Sequence, residues 1–136
     1  MSDIEQTLSI IKPDAVERNL DNEIKQMFIK NGFNIFKEKK IQMEKSEAEK
    51  FYKVHETKPF YNDLCLYLSS GPIVAMILEK KNAVTDNRKL MGATNPKDAE
   101  DGTIRKKYGI SIDKNSVHGS DSVENAKIEI DFFFKD

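Results

Sequence analysis

Residues 73–78, IVAMIL, form the longest apolar run of the chain, and they follow the turn-forming pair Gly71-Pro72. An unbroken apolar run of this length is typical of a strand that is buried on both faces. It is also far shorter than the ~20 residues that are needed to cross a bilayer. We therefore predict that residues 73–78 form the central strand of a sheet.

The segments before this strand alternate between strand and helix patterns. Thr7 to Ile11 is a β-rich run that stops at Lys12-Pro13-Asp14, where proline removes a ladder donor, so we expect a strand and then a loop. A helix that ends at Gly32 is predicted by the spacing of the next apolar residues, Leu20, Ile24, Met27 and Phe28. Alternating apolar residues from Phe33 to Met43 predict a second strand.

A helix is also predicted on each side of the central strand. Ser46 to Glu49 has the form of a capping box, and the helix that it begins would point four side chains inward, Ala48, Phe51, Tyr52 and His55. After the strand, residues 82–91 predict a helix that ends at Gly92, followed by a turn at Asn95-Pro96. About twenty residues then lead to His118, and a loop of this length is usually functional.

The C-terminal segment favours a last helix. Asp121 and Glu124 could cap it, and its inward stripe would be Val123, Ala126, Ile130 and Phe133. A strand is the alternative, because Ala126, Ile128, Ile130 and Phe132 alternate.

This order of elements, with a short strand near Val117, predicts an α+β fold. We expect a ferredoxin-like βαββαβ sandwich, in which helices pack on one face of a four-stranded antiparallel sheet. The length of 136 residues suits a single domain over residues 1–136. A net charge of -1 argues against non-specific binding of nucleic acid. A single cysteine, Cys65, excludes an intrachain disulfide and a multi-cysteine zinc site, and it favours the cytoplasm.

His118 is the candidate nucleophile. It lies in NSVHGSD, after a valine that suits the end of a strand and before residues that suit a turn. Free histidine has a pKa of about 6.5, so most of it is neutral at pH 7 without an adjacent base. Glu129 is our candidate for the carboxylate that fixes the tautomer, with Ser120 as a further hydrogen-bond partner. The alternative is a turn or surface histidine without a catalytic role.

The usual phosphate-binding motifs are absent from the sequence: it has no G-x-x-x-x-G-K-[ST] loop and no H-R-D or D-F-G pair. Phosphates would have to be held by scattered side chains, for which the candidates are Lys12, Arg88, Arg105, Thr94 and Asn115. Each could instead be a solvated charge or a turn residue. Similarly, Tyr52 and His55 could simply pack in the core, and Phe60 could stack on a base or be buried.

The segment NSVHGSDS resembles the active-site signature of nucleoside diphosphate kinases, and the similarity runs almost end to end. It includes IIKPDAVER, YKVHETKPF, SSGPIVAM, RKLMGATNP, GTIRKKYG and a glutamate eleven residues after His118. The resemblance implies transfer of the γ-phosphoryl group from a nucleoside triphosphate to a nucleoside diphosphate. It also implies ping-pong kinetics through a phosphohistidine, broad base and sugar tolerance, and Mg²⁺ bound mainly through the nucleotide phosphates.

The resemblance further implies a role for each candidate. His118 would be phosphorylated, and Glu129 with Ser120 would orient its ring. Lys12 and Tyr52 would stabilise the γ-phosphoryl group, and Lys12 with Asn115 would reach the sugar hydroxyls. The remaining phosphates would contact Arg88, Thr94, Arg105 and His55, and the base would lie between Phe60, Leu64 and Ile112. No metal ligand is expected from the chain, no membrane is involved, and a homo-oligomer, either a tetramer or a hexamer, is expected.

Two other classes of function fit part of the sequence. A non-catalytic nucleotide-binding subunit would keep the pocket, but the presence of His118 argues against this class. RNA-recognition modules share the ferredoxin-like topology, yet the chain lacks their aromatic-rich RNP pattern and has a net charge of -1. Binding of nucleic acid is therefore not expected as a main role.

Overall fold

The computed structural model describes residues 4–112 and 114–134, and within these ranges a four-stranded antiparallel sheet forms the centre of the fold. Its strands are β1 (Ile4–Ile11), β2 (Asn34–Ile41), β3 (Ile73–Lys81) and β4 (Val117–Gly119), in the order β2-β3-β1-β4. All three pairings are antiparallel. Residues 73–78 are buried in β3, between β1 and β2. The predicted ferredoxin-like α+β fold is confirmed.

Helices connect the strands in this part of the chain. In chain order they are α1 (Pro13–Glu17), α2 (Asp21–Lys30), α3 (Lys45–Phe51), α4 (Tyr61–Leu68), α5 (Ala83–Met91), α6 (Ile104–Tyr108) and α7 (Val123–Phe134). Short 3₁₀ turns cover Lys53–His55 and Pro96–Asp98. Among the described residues, no helix combines the length and the apolar character that crossing a membrane requires.

The sheet is covered on both faces. On one face, Ile11 of β1 packs with Ile24, Phe28 and Met91 from α2 and α5. On the other, Leu8 and Ile10 pack with side chains from α3, α4 and α7, among them Ala48, Leu68 and Phe133. The prediction that helices lie on one face only is therefore wrong. The physical reason is that β3 is apolar on both faces along residues 73–78, and both faces must be removed from water.

Three helices lie where the sequence predicted loops or predicted nothing. The expected loop after β1 contains α1, because Pro13 occupies a first-turn position in which its missing N–H has no cost. The long segment before His118 contains α6, whose N-cap Thr103 accepts a hydrogen bond from the Lys106 N–H at 3.3 Å. Helix α4 was not predicted, although Cys65 and Leu68 form its buried side.

Two predicted helix starts are displaced. Helix α3 begins at Lys45, and the capping box is formed by Glu44 and Glu47 instead of Ser46 and Glu49. Helix α7 is capped by Ser122, whose Oγ accepts a hydrogen bond from the Asn125 N–H at 3.1 Å, so neither Asp121 nor Glu124 is the cap. Val123 is the first residue of the helix, and its side chain is exposed. The inward stripe therefore lacks Val123 and consists of Ala126, Ile130 and Phe133. The C-terminal strand alternative is wrong.

Candidate active site on strand β4

Strand β4 presents alternate residues to the two faces of the sheet. His118 pairs with Ile10 of β1, while Gly119 pairs with Ser9 and Val117 with Ile11. Directly paired residues of an antiparallel ladder point to the same face. His118 therefore lies on the face of Ile10, which is covered by α3, α4 and α7, whereas Val117 and Gly119 lie on the face of α2 and α5.

The imidazole of His118 is held by Glu129. Nε2 of His118 lies 3.1 Å from Oε1 of Glu129, and Ser120 Oγ donates to the same oxygen at 2.7 Å. The Ser120 hydroxyl in turn accepts a hydrogen bond from the Leu8 N–H at 3.3 Å. An ionised carboxylate can only accept, so this contact places the ring proton on Nε2 and the lone pair on Nδ1. The His118 side chain is 21% exposed, which leaves it open to a reactant.

Aromatic side chains surround the ring. Phe51 of α3 packs edge-to-face on His118 with 5.4 Å between ring centroids, and it also contacts Phe132 and Phe133 of α7. Tyr52 packs on Phe51 at 5.1 Å and is buried. Burial, and then the negative charge of Glu129, raise the pKa of Tyr52 far above its usual value. Its phenol therefore stays protonated and can donate a hydrogen bond at any physiological pH.

Lys12, Asn115 and Thr94 come together from three connecting segments. Lys12 is only 6% exposed, and its Nζ donates to Asn115 Oδ1 at 2.9 Å. The Asn115 side-chain amide donates to the Thr94 carbonyl at 3.1 Å. The alternative that Lys12 is a solvated charge is therefore wrong.

The two arginine candidates, Arg88 of α5 and Arg105 of α6, line one cleft. Arg105 is buried, and its Nη1 and Nη2 donate to the carbonyls of Gly92 and Val117 at 3.0 and 2.9 Å. Burial, followed by the charge of Arg88, lowers the pKa of Arg105 to about 10, so it remains a cation at neutral pH. Arg88 itself is exposed. These two arginines and Thr94 line a cleft of about 800 Å³. Three acidic residues also border it: Asp98, Glu100 and Asp121.

The remaining candidates are His55, Phe60, Leu64 and Ile112. His55 is in the 3₁₀ turn after α3, beyond the end of the helix, and its ring lies 6.2 Å from the rings of Tyr52 and Phe60. Its Nδ1 is buried and has no hydrogen-bond partner among residues 4–112 and 114–134. Phe60 and Ile112 are 44% and 54% exposed, while Leu64 is half-buried against the core. The alternative that Phe60 is buried is wrong.

Comparison with known proteins identifies the family. The family model described as "Nucleoside diphosphate kinase" matches residues 5–136. The chain belongs to the nucleoside diphosphate kinase family. The predicted resemblance is thus confirmed, and the protein is a phosphotransferase that moves the γ-phosphoryl group between nucleoside tri- and diphosphates.

Relatives of known name agree over nearly the whole chain. The nucleoside diphosphate kinase of Geobacter sp. (strain M21) is 55% identical over 131 residues, which cover 96% of each chain. That of Campylobacter jejuni (strain RM1221) is 57% identical over 132 residues, with 97% of this chain and 96% of the relative covered. The crystal structure of the Aquifex aeolicus nucleoside diphosphate kinase has a TM-score of 0.95 at 38% identity, covering 97% of this chain and 96% of that one.

The sequence did not reveal a buried network that supports the candidate site. Ser116 has a left-handed backbone with a φ of 73°, and its Oγ donates to Asp14 Oδ2 at 2.9 Å. The Tyr67 hydroxyl donates to the other carboxylate oxygen of Asp14, and Arg18 donates to Oδ2 at 3.2 Å. Since the Lys12 N–H also donates to the Ser116 carbonyl at 2.8 Å, the network fixes both the Lys12 segment and the entry into β4. The contact between Asp14 and Ser116 spans 102 residues, so no local pattern indicates the network.

Proposed function

We propose that the kinase transfers phosphate through a covalent intermediate on Nδ1 of His118. The contact between Nε2 and Glu129 carries this proposal, because it leaves the lone pair of the ring on Nδ1. In the first half-reaction a bond forms between Nδ1 and the γ-phosphorus, while the bond from that phosphorus to the bridging oxygen breaks and the nucleoside diphosphate leaves. In the second, a terminal phosphate oxygen of another nucleoside diphosphate attacks the same phosphorus, and the bond to nitrogen breaks.

The cations of the site would bind the phosphates. We assign Lys12 and the neutral phenol of Tyr52 to the γ-phosphoryl group, where positive charge and a hydrogen-bond donor stabilise the transition state. The remaining phosphates are assigned to Arg88, Thr94, Arg105 and His55. The two arginines and Thr94 share one cleft, which supports this assignment.

A Mg²⁺ ion would be held by the nucleotide. Within residues 4–112 and 114–134, no group of three His, Cys, Asp or Glu side chains comes together to hold a metal ion. The side chains assigned to the phosphates are neutral or cationic, so the ligands of the ion would come mainly from phosphate oxygens. When bound, Mg²⁺ neutralises charge on the transferring group.

The nucleoside would be recognised by few specific contacts. Phe60, Leu64 and Ile112 are the proposed base slot, and the exposure of two of them supports contact with a ligand. Stacking on such a slot tolerates purines and pyrimidines alike. Lys12 and Asn115 would reach the sugar hydroxyls.

We also propose that the chain acts as a single domain over residues 1–136, in a cytoplasmic homo-oligomer that is a tetramer or a hexamer. Apolar side chains that are about half exposed, such as Phe36 and Ile110, support burial against other copies. The free and fully buried Cys65 is compatible with a reducing compartment.

Labelling with γ-³²P-ATP tests the covalent step. Wild-type protein should become labelled, and His118→Ala should not. The His55→Ala variant is the matched control, since the chain has two histidines, and it should still be labelled, although more slowly. The label should be lost in acid and kept in alkali, which separates a phosphohistidine from a phosphoserine at Ser120. An unlabelled wild type, or a labelled His118→Ala variant, would contradict the proposal.

A further inference from the structure

A buried polar cluster lies on the face of the sheet opposite to His118. Thr7 and Ser9 of β1 and Asn87 of α5 are each fully buried. In the part of the chain that the structure describes, Thr7 Oγ1, Ser9 Oγ and both amide atoms of Asn87 have no hydrogen-bond partner. Buried polar groups without a partner are costly and rare, so four such atoms in one region require a physical explanation.

Strand register places these side chains on the same face of the sheet. Ser9 is the direct partner of Gly119, so their Cβ directions point to the same face. A Cβ added to Gly119 would clash with Nδ2 of Asn87 and would lie 2.7 Å from Cε of Met91. The amide of Asn87 therefore rests directly on the backbone of Gly119, on the face that Ser9 also occupies. Thr7 is two residues from Ser9 in β1 and lies on the same face.

We propose that Asn87 is a positioning residue for His118, and that its amide is linked to the hydroxyls of Ser9 and Thr7 through buried water. A water molecule can donate to and accept from both an amide and a hydroxyl, and it satisfies groups that are too far apart to bond directly. The link ties α5 and β1 to the peptide that follows His118. The link supports β4 on one face of the sheet, while Glu129 and Phe51 contact the His118 ring on the other face.

Loss of the link should slow the chemical step more than it weakens nucleotide binding. In-line attack requires the nitrogen and the phosphorus to be held within a narrow geometry, so a small shift of β4 reduces the rate. The substitution changes none of the side chains that we assign to the nucleotide, so we expect a smaller effect on binding than on the rate. The inference rests on the proposed phosphorylation of His118.

Single-turnover phosphorylation at saturating ATP tests the role of Asn87. The full-length Asn87→Leu variant keeps a side chain of similar size without polar atoms, and we expect its rate to fall about tenfold with the nucleotide dissociation constant within threefold of wild type. Ile24→Val, which removes a methylene from the hydrophobic core on the same side of the sheet, is the control for stability alone and should phosphorylate at the wild-type rate. The ¹⁵N NMR signals of the His118 ring should shift in Asn87→Leu and not in Ile24→Val.

A double-mutant cycle tests the link to Ser9. If Asn87 and Ser9 act through shared water, the double variant Asn87→Leu/Ser9→Ala should be as slow as Asn87→Leu alone; multiplied effects would overturn the link. A high-resolution crystal structure should show water within hydrogen-bond distance of both side chains, and a direct Asn87–Ser9 bond would overturn the bridge. If Asn87→Leu does not fold, Ser9→Ala alone should slow phosphorylation by about threefold.

The two proposals fail in different ways. A wild type that is never labelled would refute the phosphohistidine, whereas a labelled wild type with an Asn87→Leu rate within twofold of it would refute only the positioning role.

Discussion

Replacement of Glu129 by glutamine would remove the negative charge beside His118 and keep the shape of the side chain. Nε2 and Oε1 are 3.1 Å apart. In the proposed reaction, the ring gains positive charge as Nδ1 bonds to phosphorus. About half a unit charge at this distance is stabilised by about 2.7 kcal/mol at an effective dielectric constant of about 20. Since about 1.4 kcal/mol corresponds to a factor of ten, complete loss would slow phosphorylation about a hundredfold.

Solvent reduces this figure. The side chains of His118 and Glu129 are 21% and 20% exposed, and water screens part of the interaction, so we expect a decrease of about ten- to a hundredfold. The rate would be measured by rapid mixing with labelled ATP and an alkaline quench. Glu124→Gln, an exposed position on the same helix, makes the same change of charge and should react at the wild-type rate. A Glu129→Gln rate within threefold of wild type would refute the electrostatic role.

Three further changes test other parts of the structure. Gly119→Ala introduces a Cβ that clashes with Asn87, so chemical denaturation should show a loss of about 1–3 kcal/mol, partly restored by Asn87→Ala. Burial raises the pKa values of the Tyr52 and Tyr67 phenols in the folded protein. Above about pH 10 the phenols ionise in the unfolded chain but not in the folded protein, so the free energy of unfolding should decrease as the pH rises. Tyr52→Phe should make this decrease shallower in urea titrations, and an unchanged slope would contradict it. Arg105→Lys keeps the charge but loses the paired donors to the Gly92 and Val117 carbonyls. The KM for nucleotide should therefore rise about tenfold in a coupled assay. An unchanged KM would exclude a role of Arg105 in nucleotide binding.

Elements with a strong apolar period could be predicted from the sequence. The continuous run at residues 73–78 is buried in β3, and the stripe through Ile24 and Phe28 is the inner side of α2. Short helices could not be predicted, because five residues such as those of α1 and α6 give too few periods to detect. Caps were misplaced for a related reason: Glu44 and Ser46 both suit a helix start, and tertiary packing selects between them.

The local part of the site was also accessible from the sequence. His118, Ser120 and Glu129 lie within twelve positions, and the helix that carries Glu129 returns over β4. The supporting contacts were not accessible, because they join distant segments. Asp14 meets Tyr67 and Ser116 across 53 and 102 residues, and Asn87 meets Gly119 only through the packing of α5 on the sheet.

The shortness of β4 explains why polar support is concentrated around it. The strand has three residues that pair with β1, so its backbone hydrogen bonds alone hold its position weakly. Ser116 anchors the strand at its start through Asp14, and Ser120 anchors its end through Leu8 and Glu129. Asn87 packs on Gly119 of this strand, on the face opposite His118. The proposed nucleophile, His118, lies on this short strand and depends on these side-chain contacts for its position, so substitutions among them should alter catalysis before they alter the fold.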